Sequence, residues 1–180
     1  MEKRVLMILA DGFEETEAIA VADVIRRLGM KLDAAGFEMS VRGAHGFILQ
    51  SDLLLADISV DDYDAVFLPG GMPGSTNLLK SVLVRDVLLK MAQENKVISA
   101  ICAAPIVLAS CGLLENKTFT MYPGFDEYLN GNVPTGKPAE RDGNIVTGKG
   151  PGTVFAFAAE LAAALGADTG TLYDGMFVKL

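Results

Sequence analysis

The sequence predicts an α/β domain, a three-layer sandwich in which helices cover both faces of a mostly parallel central sheet. Three observations carry this reading. Val5–Ala10, Ala65–Leu68 and Val97–Ile101 are unbroken apolar runs of strand length, as expected of parallel strands buried on both faces. Between them lie segments with helical spacing, and that alternation builds βαβ units. The third run passes without a spacer into Cys102 and then into a helical pattern opened by Pro105.

Taken in order, the first apolar run is followed by Ala18, Val21, Ala22, Ile25 and Leu28 at helical spacing, with Asp23, Arg26 and Arg27 off the stripe and Gly29 as the stop. Met30 to Gly36 reads as a second strand, joined by a right-handed crossover. Residues 39–55 read as short strand-like pieces, a hairpin or irregular excursion at the sheet edge around Gly43 to Gly46. Val84, Val87, Leu88 and Met91 mark the helix that precedes the third run, and Gly112 closes the helix that follows it. Thr118 to Met121 reads as a short strand and Asn144 to Thr147 as the last one. The stretch 122–138, rich in Gly, Pro and Asn, reads as loop. An apolar helix from Thr153 to Leu165, with Glu160 its only charge, must be buried on more than one side, by the sheet and by a second subunit. Thr171 to Val178 is a small terminal helix.

The chain of 180 residues is expected to be a single domain, 51% hydrophobic and 21% charged, which excludes a disordered chain. Its 15 basic and 23 acidic residues give a net charge of −8 with no basic cluster, so nucleic acid and anionic membrane are not expected partners. The first apolar run ends at Asp11, too short for a signal peptide or a membrane span. The two cysteines, Cys102 and Cys111, lie too far apart along one helix to form a disulfide. A cytoplasmic location with reduced thiols is the simplest reading. No CxxC pair, HExxH or phosphate-binding glycine loop occurs, so no cofactor and no metal is expected.

Cys102 is the candidate nucleophile. A strand that turns this abruptly into a helix holds its junction residue in a strained conformation, the nucleophile elbow, and the free N–H groups of the helix start favour thiolate. The same residue read without that context is a small apolar filler, which is the reading kept for Cys111.

Four motifs carry a resemblance: Gly12-Phe13-Glu14-Glu15-Thr16-Glu17, Leu68-Pro69-Gly70-Gly71, Ala100-Ile101-Cys102-Ala103-Ala104-Pro105, and Gly150-Pro151-Gly152-Thr153. In this order and spacing they resemble the ThiJ/PfpI superfamily, and within it the branch of the parkinsonism-associated protein deglycase and its bacterial homologues. The resemblance implies a flavodoxin-like, class I glutamine amidotransferase-like fold. It also implies a cofactor-free homodimer whose cysteine acts as a glyoxalase or deglycase on methylglyoxal-type α-oxoaldehydes or their adducts, the substrate being a small carbonyl compound or a glycated protein. An oxidative-stress sensor or holdase-like chaperone without turnover is the alternative, and relatives also carry a thiazole monophosphate biosynthesis label.

The resemblance singles out Glu17 as the glutamate touching Cys102. Read alone, Glu14, Glu15 and Glu17 are carboxylates suited to a helix start. Beside a thiolate, Glu17 would keep a raised pKa and remain protonated. Gly70 and Gly71 read alone as a turn. In this fold the Gly71 N–H and an N–H at the Cys102–Ala103 junction form an oxyanion site, and Gly70 lies against the substrate. Relatives with glyoxalase-type activity carry histidine where Tyr122 stands, and the one histidine, His45, is a surface turn residue unless a dimer brings it toward the partner's site. The wider superfamily's proteases place a histidine where Ala103 stands, and related amidotransferases need a late His and Glu, so neither activity is expected.

Overall fold

The structure, a computed structural model, describes residues 2–180. In chain order the elements are β1 (Arg4–Leu9), α1 (Glu15–Arg27), β2 (Lys31–Gly36), β3 (Ser40–Arg42), β4 (Ile48–Gln50) and β5 (Leu53–Leu54). They continue with β6 (Ala65–Leu68), α2 (Gly74–Leu79), α3 (Val82–Gln93), β7 (Val97–Ile101) and α4 (Pro105–Ser110), then β8 (Ala139–Asp142), β9 (Ile145–Gly148), α5 (Val154–Ala164) and α6 (Gly170–Gly175). The sheet runs β5-β2-β1-β6-β7-β9-β8, every pair parallel except β8 on β9.

Alternation along β1 shows why this is a sandwich. Val5, Met7 and Leu9 pack into one core with α1 and α5, while Leu6 and Ile8 pack into the other with α3 and α4. Val5 to Leu9 are all buried, so no polar residue breaks the run. α5 lies on β8 and β9 beside α1 and buries Val154, Phe157, Ala158, Leu161 and Ala162. Phe157 meets Phe67 of β6 at a centroid distance of 5.4 Å, a tilted pair that adds about 0.5–1.5 kcal/mol to area burial. The predicted edge excursion is the β3–β4 hairpin, paired Ser40 to Gln50 and Arg42 to Ile48.

Two departures from the sequence reading have physical causes. Residues 118–121 are not a strand. Their polar groups bond to side chains and loops: Thr118 N donates to Asp142 Oδ2 at 2.9 Å, Thr120 N to Thr147 Oγ1 at 2.9 Å, and Thr120 Oγ1 to Lys137 O at 2.8 Å. The place beside β9 is taken instead by β8, whose sequence Ala-Glu-Arg-Asp carries no strand signal because an edge strand needs only one apolar face. The short helix α2 also lacks a sequence signal, since its six residues begin with Gly and a Ser-Thr pair.

The Thr120–Thr147 bond is buried and anchors the segment that leads to Tyr122. Thr147→Val keeps the side-chain shape but strands the Thr120 N–H, which costs about 1–3 kcal/mol. A thermal melt should show Tm lowered by roughly 2–10 °C; an unchanged Tm would mean that water or a shifted loop replaces the bond.

Candidate active site

Cys102 follows β7 directly and has φ +63, a left-handed conformation that a non-glycine residue adopts only when its surroundings enforce it. The enforcement is visible on both sides. Its N–H continues the ladder to Gly148 O at 2.9 Å, its carbonyl accepts from Tyr122 N at 2.9 Å, and Ala104 N turns back to Ile101 O at 3.0 Å. Pro105 then opens α4 at a position whose N–H has no helical partner. The strand-to-helix junction read from sequence is therefore an elbow in three dimensions.

Glu17 approaches from α1. It stands four and eight residues before Val21 and Ile25 and shares their stripe, so the helix turns it toward the core, where it is fully buried. Its Oε2 accepts from Gly70 N at 2.8 Å, while Oε1 is buried without a well-aligned partner. The Cys102 thiol is the neighbour that interacts with this carboxyl. A side chain at Gly70 could not fit: a Cβ there would lie 2.6 Å from Cys102 Cβ and 2.8 Å from Glu17 Oε2. Gly71, at φ +92, would carry its Cβ into the backbone of Gly12 and Glu14. The N–H groups of Gly71 and Ala103 both point at the sulfur.

Burial pushes Glu17 up to about 7, opposed by the Gly70 N–H and reinforced by the charge of Glu14. Burial also pushes Cys102 up to about 12, together with the Glu17 charge, while the Ala103 and Gly71 N–H groups pull the other way. Taken as a coupled pair, the site gives up its first proton near 7 and its second near 12. This corrects the expectation of a thiolate favoured by the helix start. α4 has only six residues, and burial beside a second acid outweighs its pole.

Cys102, Glu17, Gly70, Gly71 and Ala103 thus converge. Tyr122 stands at the rim, half-exposed, bonded through its N–H to Cys102 and with its ring about 3.3 Å from where a Gly150 Cβ would lie, so the fourth motif meets the site here. His45 sits apart from the sulfur. Its Nδ1 is 2.9 Å from Glu15 Oε2 and 3.4 Å from Glu14 Oε2, and its N–H donates to Glu15 Oε1 at 2.7 Å. Among the described residues these three groups could hold a metal ion; as they stand the two carboxylates flank the imidazole and raise the His45 pKa, while the bonds from His45 lower that of Glu15 against its burial. Sequence reasoning missed Glu14 and Gly148. Glu14 N bonds to Gly70 O at 2.8 Å and its charge acts on Glu17, and Gly148 O receives the Cys102 N–H. Only strand register reveals these contacts.

Comparison with known proteins follows the same map. The family model described as the DJ-1/PfpI family matches residues 3–164. Protein dj-1beta of Drosophila melanogaster is 40% identical over 166 residues, 90% of this chain and 89% of that protein, and its crystal structure superposes with a TM-score of 0.91 at 37% identity over all of both chains. Deglycase PfpI of Pyrococcus furiosus is 31% identical over 87% of this chain and 96% of its own length. Oxidized DJ-1 of Toxoplasma gondii superposes with a TM-score of 0.85 at 31% identity, covering 91% of this chain and 90% of that one. A match spanning all four motifs, the elbow cysteine and the whole of the sheet places this chain in the DJ-1/PfpI family.

Proposed function

We propose that this protein is a cofactor-free enzyme in which the Cys102 sulfur adds to small α-oxoaldehydes such as methylglyoxal, or to their adducts with amines and thiols. The observation that carries this reading is the buried Glu17 carboxyl beside the Cys102 thiol, two groups with displaced pKa values set against two inward N–H donors. It is supported by the relatives named as deglycases.

The chemistry uses these parts in turn. In the ionised pair the Glu17 carboxylate takes the Cys102 thiol proton as a sulfur–carbon bond forms at the aldehyde carbon, and the carbonyl electrons move to oxygen, facing the Gly71 and Ala103 N–H groups. Glu17 donates its proton to that oxygen, then removes the proton from the former aldehyde carbon to give an enediol, and returns it to the neighbouring carbon while the hydroxyl proton of the first carbon passes to the oxygen of the second. The result is a thioester of lactate. Water cleaves it, releasing lactate and restoring the thiol, so that methylglyoxal plus water gives lactate with no oxidant or reductant. Tyr122 at the rim orients substrate by hydrogen bonding. Glu17, the buried carboxyl beside the sulfur, carries the proton steps.

A second reading has its own support. A buried thiol ringed by N–H donors and a carboxyl can hold oxygen atoms on sulfur, and one relative is named as oxidized. In that case Cys102 is a peroxide-sensing residue without turnover. A homodimer is the assembly that the surface supports. Ile19 of α1, Phe47 and Ile48 are all exposed, and Ile19 and Phe47 line one apolar cavity of about 460 Å³ with Phe155 and Met176, next to His45. A second copy covering this patch would also bury the incompletely covered side of α5.

Lactate formation from methylglyoxal decides between the two readings. The protein should produce it slowly, Cys102→Ser and Glu17→Gln should abolish it, and Tyr122→His should raise it by about 10²-fold or more if an imidazole adds general acid–base catalysis. No lactate from the unaltered protein, with peroxide adding two oxygens at Cys102 by mass, would replace the enzyme with the sensor.

The pH dependence follows from the pair. Alkylation of Cys102 by iodoacetamide should be slow at pH 6, rise through pH 7 as the first proton leaves, and rise again toward pH 12. In Glu17→Gln the step near 7 should vanish and the thiol should titrate below 12, because the neighbouring negative charge is gone. Glu17 has a folded pKa above its unfolded value near 4.5, so its contribution to stability is present below 4.5 and is lost as pH rises to 7. Glu17→Gln should therefore raise Tm by several degrees at pH 8 and leave it unchanged at pH 4; equal effects at both pH values would mean Glu17 ionises freely. Ile19→Glu should convert a dimer to monomer in light scattering, and a monomeric parent protein would remove the assembly from the reading.

A further inference from the structure

A second cavity, of about 400 Å³, opens at the carboxyl ends of β1 and β2, beside the point where the strand order reverses between β1 and β6. That is where open parallel sheets bind ligands, and the volume lies in the range of roughly 300–1,000 Å³ usual for small-molecule sites. None of the residues lining it belongs to the Cys102 site. Leu9 and Ala10 at the end of β1, Phe37 after β2, and Val41 of β3 supply an apolar interior.

The polar groups around it are sorted by kind. On the side of β1 and β2 stand two carboxylates. Asp11 uses Oδ1 to accept from Arg42 N at 2.8 Å, which leaves Oδ2 open, and Glu38 has no side-chain hydrogen bond or ion pair among the described residues. On the side of α2 and α3 stand donors. Lys80 has no ion-pair partner among the described residues, and the Ser81 hydroxyl, whose oxygen caps α3 by accepting from Val84 N, keeps its own proton free to donate. Asn77 closes the base of the cavity with Nδ2 bonded to Asp11 O at 2.8 Å, fixing α2 against the loop.

We propose that this cavity binds a small apolar zwitterion, the chemistry of a free hydrophobic amino acid. Its ammonium faces Asp11 and Glu38, its carboxylate faces Lys80 and Ser81 at the positive end of α3, and its side chain fills the space over Leu9, Ala10, Phe37 and Val41. Charge complementarity selects this class. A simple anion brings its charge to two carboxylates, a simple cation brings its charge to Lys80, and an uncharged ligand leaves both walls unused.

The test is titration of the full-length protein with L-phenylalanine, followed by amide resonances and calorimetry, beside 2-phenylethylamine and 3-phenylpropanoate, which each lack one charge. Phenylalanine should shift resonances of Ala10, Asp11, Glu38 and Lys80 and bind at least about 5-fold more tightly than either analogue. Glu38→Gln and Lys80→Gln, both on the surface, should each weaken it by roughly 2- to 5-fold. Cys102→Ser should leave it unchanged, so that this site stands or falls apart from the catalytic reading. The proposal is overturned by no saturable shift up to the ~1 mM range, by equal binding of a singly charged analogue, by indifference to both charge variants, or by shifts centred on Cys102.

Discussion

The left-handed backbone at Cys102 is the constraint to which the rest of the site is fitted. A residue with a side chain occupies that region only when neighbours hold it, and here β9 holds the N–H, the 118–122 segment holds the carbonyl, and α4 begins three residues later. Strain at one residue is thereby spread over three structural layers. The consequence is a thiol lifted off the sheet edge and pressed toward the start of α1, so that whatever stands third in that helix determines its chemistry.

Glu17 is that residue, and its burial is costly by design of position. A carboxyl placed on the apolar stripe of a helix, with one oxygen bonded to Gly70 and the other without a well-aligned partner, is easily ionised only at the expense of folding stability. Two glycines keep the arrangement possible. Any Cβ at Gly70 would part the acid from the thiol, and any at Gly71 would displace the loop carrying Glu14. The raised pKa values of the pair are thus a packing result as much as an electrostatic one.

Much of this was legible in the sequence, for identifiable reasons. β1, β6 and β7 are buried on both faces, and such strands write themselves as apolar runs. Cys102 was legible because strand and helix patterns meet there without a spacer. β8 was not, because an edge strand of Ala139 to Asp142 needs no apolar signature, and residues 118–121 resembled a strand while directing their hydrogen bonds to Asp142, Thr147 and Lys137. The ionisation of Cys102 was misjudged for a different reason. Proximity to a helix start can be read from spacing, but the depth of burial and the charge of a carboxyl brought from 85 residues away in the chain depend on how the layers close.

The loop from Ala10 to Glu14 joins these features physically. Asp11 borders the second cavity and is held by Asn77 and Arg42, the Gly12 carbonyl receives Gly74 N at 3.2 Å, and Glu14 binds Gly70 while adding its charge to Glu17. Five consecutive residues therefore contact α2, the β3–β4 hairpin and the Gly70–Gly71 turn. Hydrogen bonds at every second or third residue leave this loop few ways to move by itself. A group placed against Asp11 changes the field at a distance from Glu17 set by a nearly rigid segment, and the sign is fixed: added positive charge favours the ionised pair, added negative charge the protonated one. A zwitterion presents both signs at once, so its net effect on the ionisation of Glu17 is smaller than that of either half.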